Sequence, residues 1–482
     1  MQPDAPTEVP WQRLDPRMLL VHPVRELIRF IPVLIGLFVA GGGGDGGWWQ
    51  AGGVAIPIGL GLLRYLTTTF RVHDGRVQLQ HGLLNRHVVS TALDRVRTVD
   101  LTASPIHRML GLTQLKIGTG SSAGKGDEQP LTLDGLPAAR AQQLRAELLH
   151  SIAPRTPEQA QVHGVRVVTR FATGWLRFAP FTTSGLVIAG GVIGLGSQLA
   201  GEFGLWDRLD PESFASTSVA GVVGAVIGAV VLIVLLSVLG YLVTNYGFIL
   251  SHTLPDGSWH VRRGLFTVRE TSLDDDRVTG VVIGEPVGLR IAGGRRVSAV
   301  VTGLGRESGG KSSLVPPAPR RVVEQVAAEL VGEPEPIHVE LVRHGARATR
   351  RRYTRALVPA LVLAVGLAFG PWWSRVLAVL VLAVAVGLAT DRAAALGHTV
   401  SRGRYVARSG SLTRTRTVVS TASIIGWNLR STWFQRRAGL VTLTATMAGG
   451  SQSIRLPDVP RERAEEVAEL ATPGLLSAFG QL

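Results

Sequence analysis

Long stretches without a charged residue are the feature of this sequence that most limits its fold. Six stretches stand out, between residues 29 and 45, 45 and 64, 177 and 202, 212 and 256, 355 and 375, and 375 and 391. A charge at the centre of a bilayer is expensive, and a spanning helix needs about 20 apolar residues. Because the stretches come in pairs, we predict a multi-pass α-helical membrane protein with six spans in three helical hairpins.

The distribution of basic residues predicts the orientation of these spans. The three short connections within the hairpins, at 41–47, 201–216 and 371–375, carry only Arg208 and Arg375 of the 50 Lys and Arg residues. Basic residues accumulate on the cytoplasmic side of membrane proteins. We therefore expect a cell-membrane protein whose termini and large polar segments face the cytoplasm.

The composition excludes several classes of active site. The chain has no cysteine, which rules out disulfides, thiolate zinc sites, iron–sulfur clusters and a cysteine nucleophile. It also lacks the H-E-x-x-H motif. We predict no enzymatic activity, no cofactor and no metal site. A membrane surface accounts for the net charge of +15 without nucleic acid.

The polar segments contain an internal repeat. Its first position is a glycine, at Gly82, Gly264 and Gly410. An arginine follows 26 residues later each time, at Arg108, Arg290 and Arg436, and a second glycine 29 residues later, at Gly111, Gly293 and Gly439. Glycine favours turns that need positive φ, and a guanidinium can donate to several carbonyls. We expect this repeat signature to have a structural role.

Each repeat combines a strand pattern with a final helix. Alternating apolar and polar residues with turn glycines predict short β-strands, and helical patterns follow proline at 137–150, 319–331 and 460–471. Short strands closed by one helix outline a small β-barrel. The predicted segments are a lead-in and first hairpin (1–64), barrel 1 (65–153), a linker and second hairpin (154–243), barrel 2 (244–335), a basic linker and third hairpin (336–390), barrel 3 (391–474) and a tail (475–482).

The first repeat carries a recognisable set of residues. They are Gly82, Leu83, Leu84, residues 93–96, Ser104, Arg108, Gly111 and residues 118–120. With the preceding apolar pair, this pattern resembles the bacterial pleckstrin-homology-like (PH-like) membrane proteins of the YdbS/YdbT type, in their longer form with three domains. The resemblance implies PH-like barrels at the cytoplasmic face and no catalytic residues. It also implies homo- or hetero-oligomers, including one with a shorter single-domain homologue.

A cluster of arginines precedes the fifth apolar stretch. It consists of Arg343, Arg347, Arg350, Arg351, Arg352 and Arg355. Such a cluster orients a membrane protein, and it can also bind anionic lipid headgroups or an acidic partner. Both interpretations remain open from the sequence.

One segment matches the consensus sequence of a phosphate-binding loop but lacks the structural context of such a loop. Residues 305–312 fit G-x-x-x-x-G-K-[ST], but Pro316, Pro317 and Pro319 follow, where such a loop needs a helix. We expect a turn between strands instead.

The predicted function is therefore a non-enzymatic platform that presents three PH-like domains to a partner protein or to anionic lipids. The alternative is a component of a transporter or channel. Such a component usually has ionisable groups at mid-membrane, which the six stretches lack by definition.

Overall fold

The computed structural model describes residues 11–21, 67–73, 75–81, 87–92, 96–119, 131–150, 164–182, 219–254, 257–302, 311–447 and 453–474, with scattered positions between 187 and 204. The chain forms two compact units. Unit 1 consists of Met1–Arg166 and Ser251–Asp275, and unit 2 consists of Val167–Leu250 and Asp276–Leu482.

The described residues contain strands and helices in the following order. The strands are β1 (Gln12–Arg13), β2 (Thr69–His73), β3 (Arg76–His81), β4 (His87–Ala92), β5 (Val96–Ala103), β6 (Leu112–Thr119), β7 (Leu131–Pro137), β8 (Gly164–Arg170), β9 (Ile249–Leu254), β10 (Ser258–Arg263), β11 (Val268–Asp274), β12 (Val278–Pro286), β13 (Gly294–Val301), β14 (Lys311–Pro319), β15 (Gly397–Ser401), β16 (Arg404–Ser409), β17 (Thr413–Ser420), β18 (Ile424–Arg430), β19 (Leu440–Met447) and β20 (Ser453–Pro460). The helices are α1 (Pro105–Met109), α2 (Ala138–His150), α3 (Val219–Asn245), α4 (Val287–Ile291), α5 (Arg320–Val331), α6 (Glu335–His338), α7 (Gly345–Ala368), α8 (Trp372–Ala395), α9 (Trp433–Arg437) and α10 (Arg461–Ala471).

The three repeats share one order of elements. Each has three strands, then a fourth strand, a short helix, two more strands and a final helix that begins directly after proline. The third strands are β4, β11 and β17, and the fourth strands are β5, β12 and β18. The second strand of each repeat ends one residue before the first signature glycine, and the fifth strand begins 30 residues after it.

In unit 1, successive repeats share a sheet. The first sheet of this unit is β1-β2-β3-β4, in which β2 to β4 belong to repeat 1, and repeat 1 also contributes the strands β5 to β7. The second sheet of this unit runs β7-β6-β5-β11-β10-β9, and β5 pairs antiparallel with β11 of the next repeat. The fourth strand of repeat 1 therefore continues into the third strand of repeat 2.

Unit 2 repeats this arrangement. Its larger sheet runs β14-β13-β12-β17-β16-β15, and β12 of repeat 2 pairs antiparallel with β17 of repeat 3. The remaining sheet of repeat 3 is β18-β19-β20. Because both fourth strands pair in this way, a sheet crosses from one repeat to the next in each unit.

Each unit has a core between the two halves of a repeat and its final helix. In repeat 1, Phe70 and Val77 pack with Leu115 and with Leu144 of α2. In repeat 3, the core joins residues of the two sheets with the final helix, and it includes Tyr405, Val419, Leu443, Leu456 and Val467.

The prediction of a multi-pass helical protein with three hairpins and three separate barrels is wrong. The described residues are dominated by strands in shared sheets. Only two of the described helices are long and apolar enough to cross a membrane, with the spans Ile227–Asn245 and Trp372–Ala395.

Two further predicted spans are either described only in part or too highly charged. The stretch between residues 177 and 202 begins in the 3₁₀ helix Thr173–Phe181, and only scattered positions after residue 182 are described. Five arginines occupy the first half of α7, so only residues 356–368 of that helix are free of charge. The first predicted hairpin lies outside the described residues.

Helices α7 and α8 pack side by side through small residues. Ala360 and Ala364 of α7 and Ala378 and Ala385 of α8 are buried. At the connection, the Ser374 hydroxyl donates to the Leu367 carbonyl over 2.7 Å. Small side chains allow close approach of helices in a lipid environment.

Two of the first signature glycines, Gly264 and Gly410, lie in tight turns between the second and third strands of their repeats. Gly264 and Gly410 have φ of 115° and 112°. A Cβ atom would lie 2.1 Å from the Thr267 carbonyl oxygen at Gly264 and 2.2 Å from the Thr413 carbonyl oxygen at Gly410. Gly82 lies outside the described residues.

We predict that Gly410→Ala lowers the free energy of unfolding by about 1–3 kcal/mol, because the new Cβ meets backbone in a disfavoured conformation. Thermal and denaturant unfolding of the full chain in detergent measures the change. Gly426→Ala is the control, because a Cβ there meets nothing within 4 Å. Equal stability of the two variants would contradict the prediction.

Candidate functional site

The second signature glycines connect two helices within each repeat. Gly111, Gly293 and Gly439 have φ of 68°, 74° and 66°. Their N–H groups donate to the carbonyls of the signature arginines over 3.1–3.3 Å, and their own carbonyls accept from the first residue of the final helix over 3.0–3.2 Å. The glycine backbone therefore ties the short helix to the start of the final helix in all three repeats.

The signature arginine side chains have different partners. Arg108 Nη1 donates to the Leu265 carbonyl at 3.2 Å, whereas Arg290 Nη2 donates to Asp391 Oδ1 at 2.7 Å. Arg436 Nη1 reaches the carbonyl of Ser431 at 3.4 Å. The geometry that all three repeats share therefore belongs to the backbone.

Two arginines of the predicted lipid-binding cluster surround a buried carboxylate. Asp458 is 1% exposed. Its side chain lies 2.9 Å from Arg351 Nε and 2.8 Å from Arg352 Nη2, and it accepts from Gln435 Nε2 at 2.8 Å. A buried charge is stable only when it is paired. Arg351 and Arg352 therefore anchor α7 to β20.

A histidine pair lies beside this carboxylate. His344 Nδ1 contacts the Asp458 carbonyl at 3.0 Å, and His344 Nε2 contacts His398 Nδ1 at 3.1 Å. Burial lowers the pKa of each histidine from 6.5 to about 4. Both imidazoles are therefore neutral near pH 7.

Three members of the cluster, Arg351 among them, line an open groove. Arg347, Arg350 and Arg351 of α7 face Phe434 and Arg437 of α9 around a cavity of about 560 Å³. We call this the arginine groove; Thr354, Ala438 and Gly439 also line it, and no carboxylate is among its described lining residues. Arg343, Arg347, Arg350 and Arg355 are exposed.

Aromatic side chains extend the arginine groove on one side. Phe434 is 67% exposed and Trp433 is 54% exposed. The Arg437 guanidinium lies 5.0 Å from the centre of the Trp433 ring, and the guanidinium of Arg347 lies over Gly439. The groove thus combines exposed cations with exposed rings, next to the helix that packs on α8.

A second group of arginines was missed by sequence reasoning, apart from the signature residue Arg290. Arg290, Arg295, Arg320, Arg408, Arg414 and Arg416 line a cavity of about 380 Å³ with Glu285 and Glu324. The alternation of Arg414 and Arg416, which puts both on one face of β17, was the available signal.

Most of these arginines are paired within unit 2. Arg295 pairs with Glu285 at 2.9 Å and also with Glu324, and Arg414 pairs with Asp391 at 2.8 Å. Arg416 donates to the Val339 carbonyl at 2.7 Å, and burial lowers its pKa to about 10. The group therefore connects the paired strands β12 and β17 to the segments around them.

The remaining motifs do not form a site. Lys311–Pro319 is strand β14, so the residues after the apparent phosphate-binding motif form no helix. In the part of the chain that the structure describes, no three His, Asp or Glu side chains are arranged to hold a metal ion.

Comparison with known proteins places these features in a family context. The bacterial PH domain family matches residues 26–152 and 357–473. The UPF0699 transmembrane protein YdbT of Bacillus subtilis (strain 168) is 21% identical over 425 residues, which cover 84% of this chain and 84% of the relative. No solved structure matches the chain.

We predict that the double substitution Arg351→Ala and Arg352→Ala lowers the free energy of unfolding by about 3–5 kcal/mol, because it leaves the Asp458 charge buried without a cation. Melting of the full chain in detergent measures the loss. The matched control is Arg347→Ala with Arg350→Ala on the same helix, whose side chains are exposed, and we expect it to melt like the parent. If the two double variants melt alike, Asp458 does not depend on these arginines.

The histidine pair predicts a pH dependence of stability. Between pH 6.5 and about 4, the unfolded chain binds protons that the buried imidazoles do not. The free energy of unfolding should therefore fall as the pH falls through this window. Melting curves at pH 7, 6 and 5 test this against His398→Asn, which should lose stability less steeply. Parallel pH profiles for parent and variant would contradict the assignment.

Proposed function

Because the chain belongs to the bacterial PH domain family, we propose that it is a membrane-associated, non-catalytic protein whose PH-like repeats contact anionic lipid headgroups through the arginine groove. Its relative in Bacillus subtilis is called a transmembrane protein, and two helices of this chain are long and apolar enough to cross a bilayer. The proposal keeps the repeats on the cytoplasmic side, where basic residues concentrate.

The observation that carries the proposal is the position of the groove on α7. Its arginines lie on the charged first half of that helix, and the uncharged second half packs against the apolar helix α8. A helix that changes from charged to apolar in this way brings its charged part to the level of the headgroups.

The exposed rings support the same position. Trp and Tyr are enriched where a protein meets the headgroup layer, because their rings are amphipathic. Trp433 and Phe434 lie in contact with each other, with ring centres 5.0 Å apart, beside three exposed arginines. Cations and rings together favour an anionic interface over bulk water.

No observation favours transport. The candidate span Ile227–Asn245 contains no Lys, Arg, Asp or Glu, and the charges of Trp372–Ala395 lie at Arg375, Asp391 and Arg392, near its two ends. A transport mechanism coupled to ions usually needs ionisable groups near the middle of the membrane. We therefore retain the interaction platform as the proposed function, with a partner protein or a shorter homologue as a further ligand.

We predict that the triple substitution Arg347→Gln, Arg350→Gln and Arg437→Gln weakens binding of phosphatidylglycerol at least tenfold. Each arginine near anionic lipid is worth about 1 kcal/mol, and about 1.4 kcal/mol is a factor of ten. Titration of the detergent-purified full chain with short-chain phosphatidylglycerol, followed by native mass spectrometry, measures the affinity.

The control replaces three exposed arginines outside the groove, Arg296→Gln, Arg402→Gln and Arg455→Gln, and therefore has the same net charge. It should bind phosphatidylglycerol within twofold of the parent. Phosphatidylcholine should bind equally weakly to all three proteins. If both triple variants lose the same affinity, binding depends on net charge and not on the arginine groove. If the parent binds phosphatidylglycerol and phosphatidylcholine equally well, the proposal is wrong.

A further inference from the structure

The two junctions between successive repeats use the same register. Asp100 of β5 lies opposite Thr271 of β11, and Val282 of β12 lies opposite Thr417 of β17. In each pair, the residue of the fourth strand lies 18 positions after the first signature glycine of its repeat. The residue of the third strand lies 7 positions after the first signature glycine of the following repeat. The junction is therefore a repeated structural element with a defined pairing.

One third strand and one fourth strand do not pair with a strand of another repeat among the described residues. The third strand of repeat 1, β4, is the end strand of its sheet, and the fourth strand of repeat 3, β18, is an end strand of its own. At the two observed junctions, a fourth strand pairs with a third strand, so β18 and β4 are complementary by position. Unpaired N–H and C=O groups on such edges favour pairing with another strand.

The side chains of β4 are more exposed than the equivalent side chains of β11 and β17, as expected for an unpaired edge strand. Ser272 and Val418, 8 positions after their signature glycines, are both 0% exposed in their junctions. The equivalent residue of β4, Ser90, is exposed, and its neighbour Val88 is 53% exposed. On the other edge, Ile425 of β18 is 59% exposed.

We infer that β18 of one copy of this chain pairs antiparallel with β4 of a second copy, in the register of the two internal junctions. Asn428 then lies opposite Val89, and Leu429 lies opposite Val88. Directly opposite residues point to the same face of a sheet. Val88 therefore extends the core face of repeat 3, and Ser90 becomes buried like its two counterparts.

A second copy of the chain provides the strand that would pair with β18. It carries a free third strand with the same spacing from its signature glycine as the strands that fill the internal junctions. The contact joins two different surfaces, so it generates a ring or an open row of molecules in the membrane rather than a closed symmetric pair. This inference concerns strand edges and does not depend on lipid binding at the arginine groove.

The absence of cysteine makes the register directly testable. Full-length Val88→Cys and Leu429→Cys variants with different tags are co-expressed in one membrane and oxidised. We expect a disulfide-linked heterodimer. Val88→Cys with itself, and Val88→Cys with Asn428→Cys, should give none, because the first lacks the complementary edge and the second places the sulfurs on opposite faces.

A second pair guards against a variant that fails to fold. Val89→Cys with Asn428→Cys joins the same two strands in the same register, through side chains on the other face of the sheet. Cross-linking of either predicted pair above its mismatched controls supports the inference. Monomers from both predicted pairs, or equal cross-linking of matched and mismatched pairs, would overturn it.

An edge-blocking substitution separates assembly from folding. Ser90→Arg should leave melting of the detergent-dispersed chain unchanged, because Ser90 is exposed, and it should abolish the Val88–Leu429 cross-link. The matched control, Ser272→Arg, puts the same residue into the internal junction of unit 1 and should lower the melting temperature. Undiminished cross-linking of the Ser90→Arg chain would contradict the proposed pairing.

Discussion

Antiparallel pairing between the fourth strand of one repeat and the third strand of the next is the interaction on which the rest of the structure depends. A half-repeat of three strands presents an edge of unpaired backbone groups, and burial of such groups without partners is costly. In unit 1, β11 covers the edge of β5, and in unit 2, β17 covers the edge of β12. The larger sheet of each unit is therefore completed by residues from two repeats, and an isolated repeat would leave an edge open.

The shared sheets explain where the chain places its buried charges. Beside the β12–β17 pairing, Arg295 of β13 pairs with Glu285 and Glu324. Arg414 of β17 pairs with Asp391, and Arg416 donates to the Val339 carbonyl. In unit 1, Arg145 of α2 pairs with Glu270 of β11 at 3.1 Å, so charged side chains from neighbouring repeats also meet there. The backbone hydrogen bonds hold the paired strands together, and these ion pairs favour the correct strand as the partner.

Helix α7 serves two purposes along its length. Its first half turns Arg351 and Arg352 toward the buried Asp458 and leaves Arg347 and Arg350 exposed at the groove. Its second half packs small residues against α8. A single run of arginines thus combines structural ion pairs with free cations, and only the latter are available to an anionic ligand.

The sequence by itself determined the repeat, its 26- and 29-residue spacings, the helix after each proline and the family resemblance, because these depend on local spacing and on the conformational limits of glycine and proline. It also located the two apolar spans that the structure retains. The tertiary structure decided that sheets are shared between repeats, that Arg351 and Arg352 pair with the buried Asp458, and that only two of the described helices are long and apolar enough to cross a membrane. Strand pairing and charge burial join residues that are more than 100 positions apart, such as Arg351 and Asp458. The spacing of residues within one segment therefore does not predict these partners.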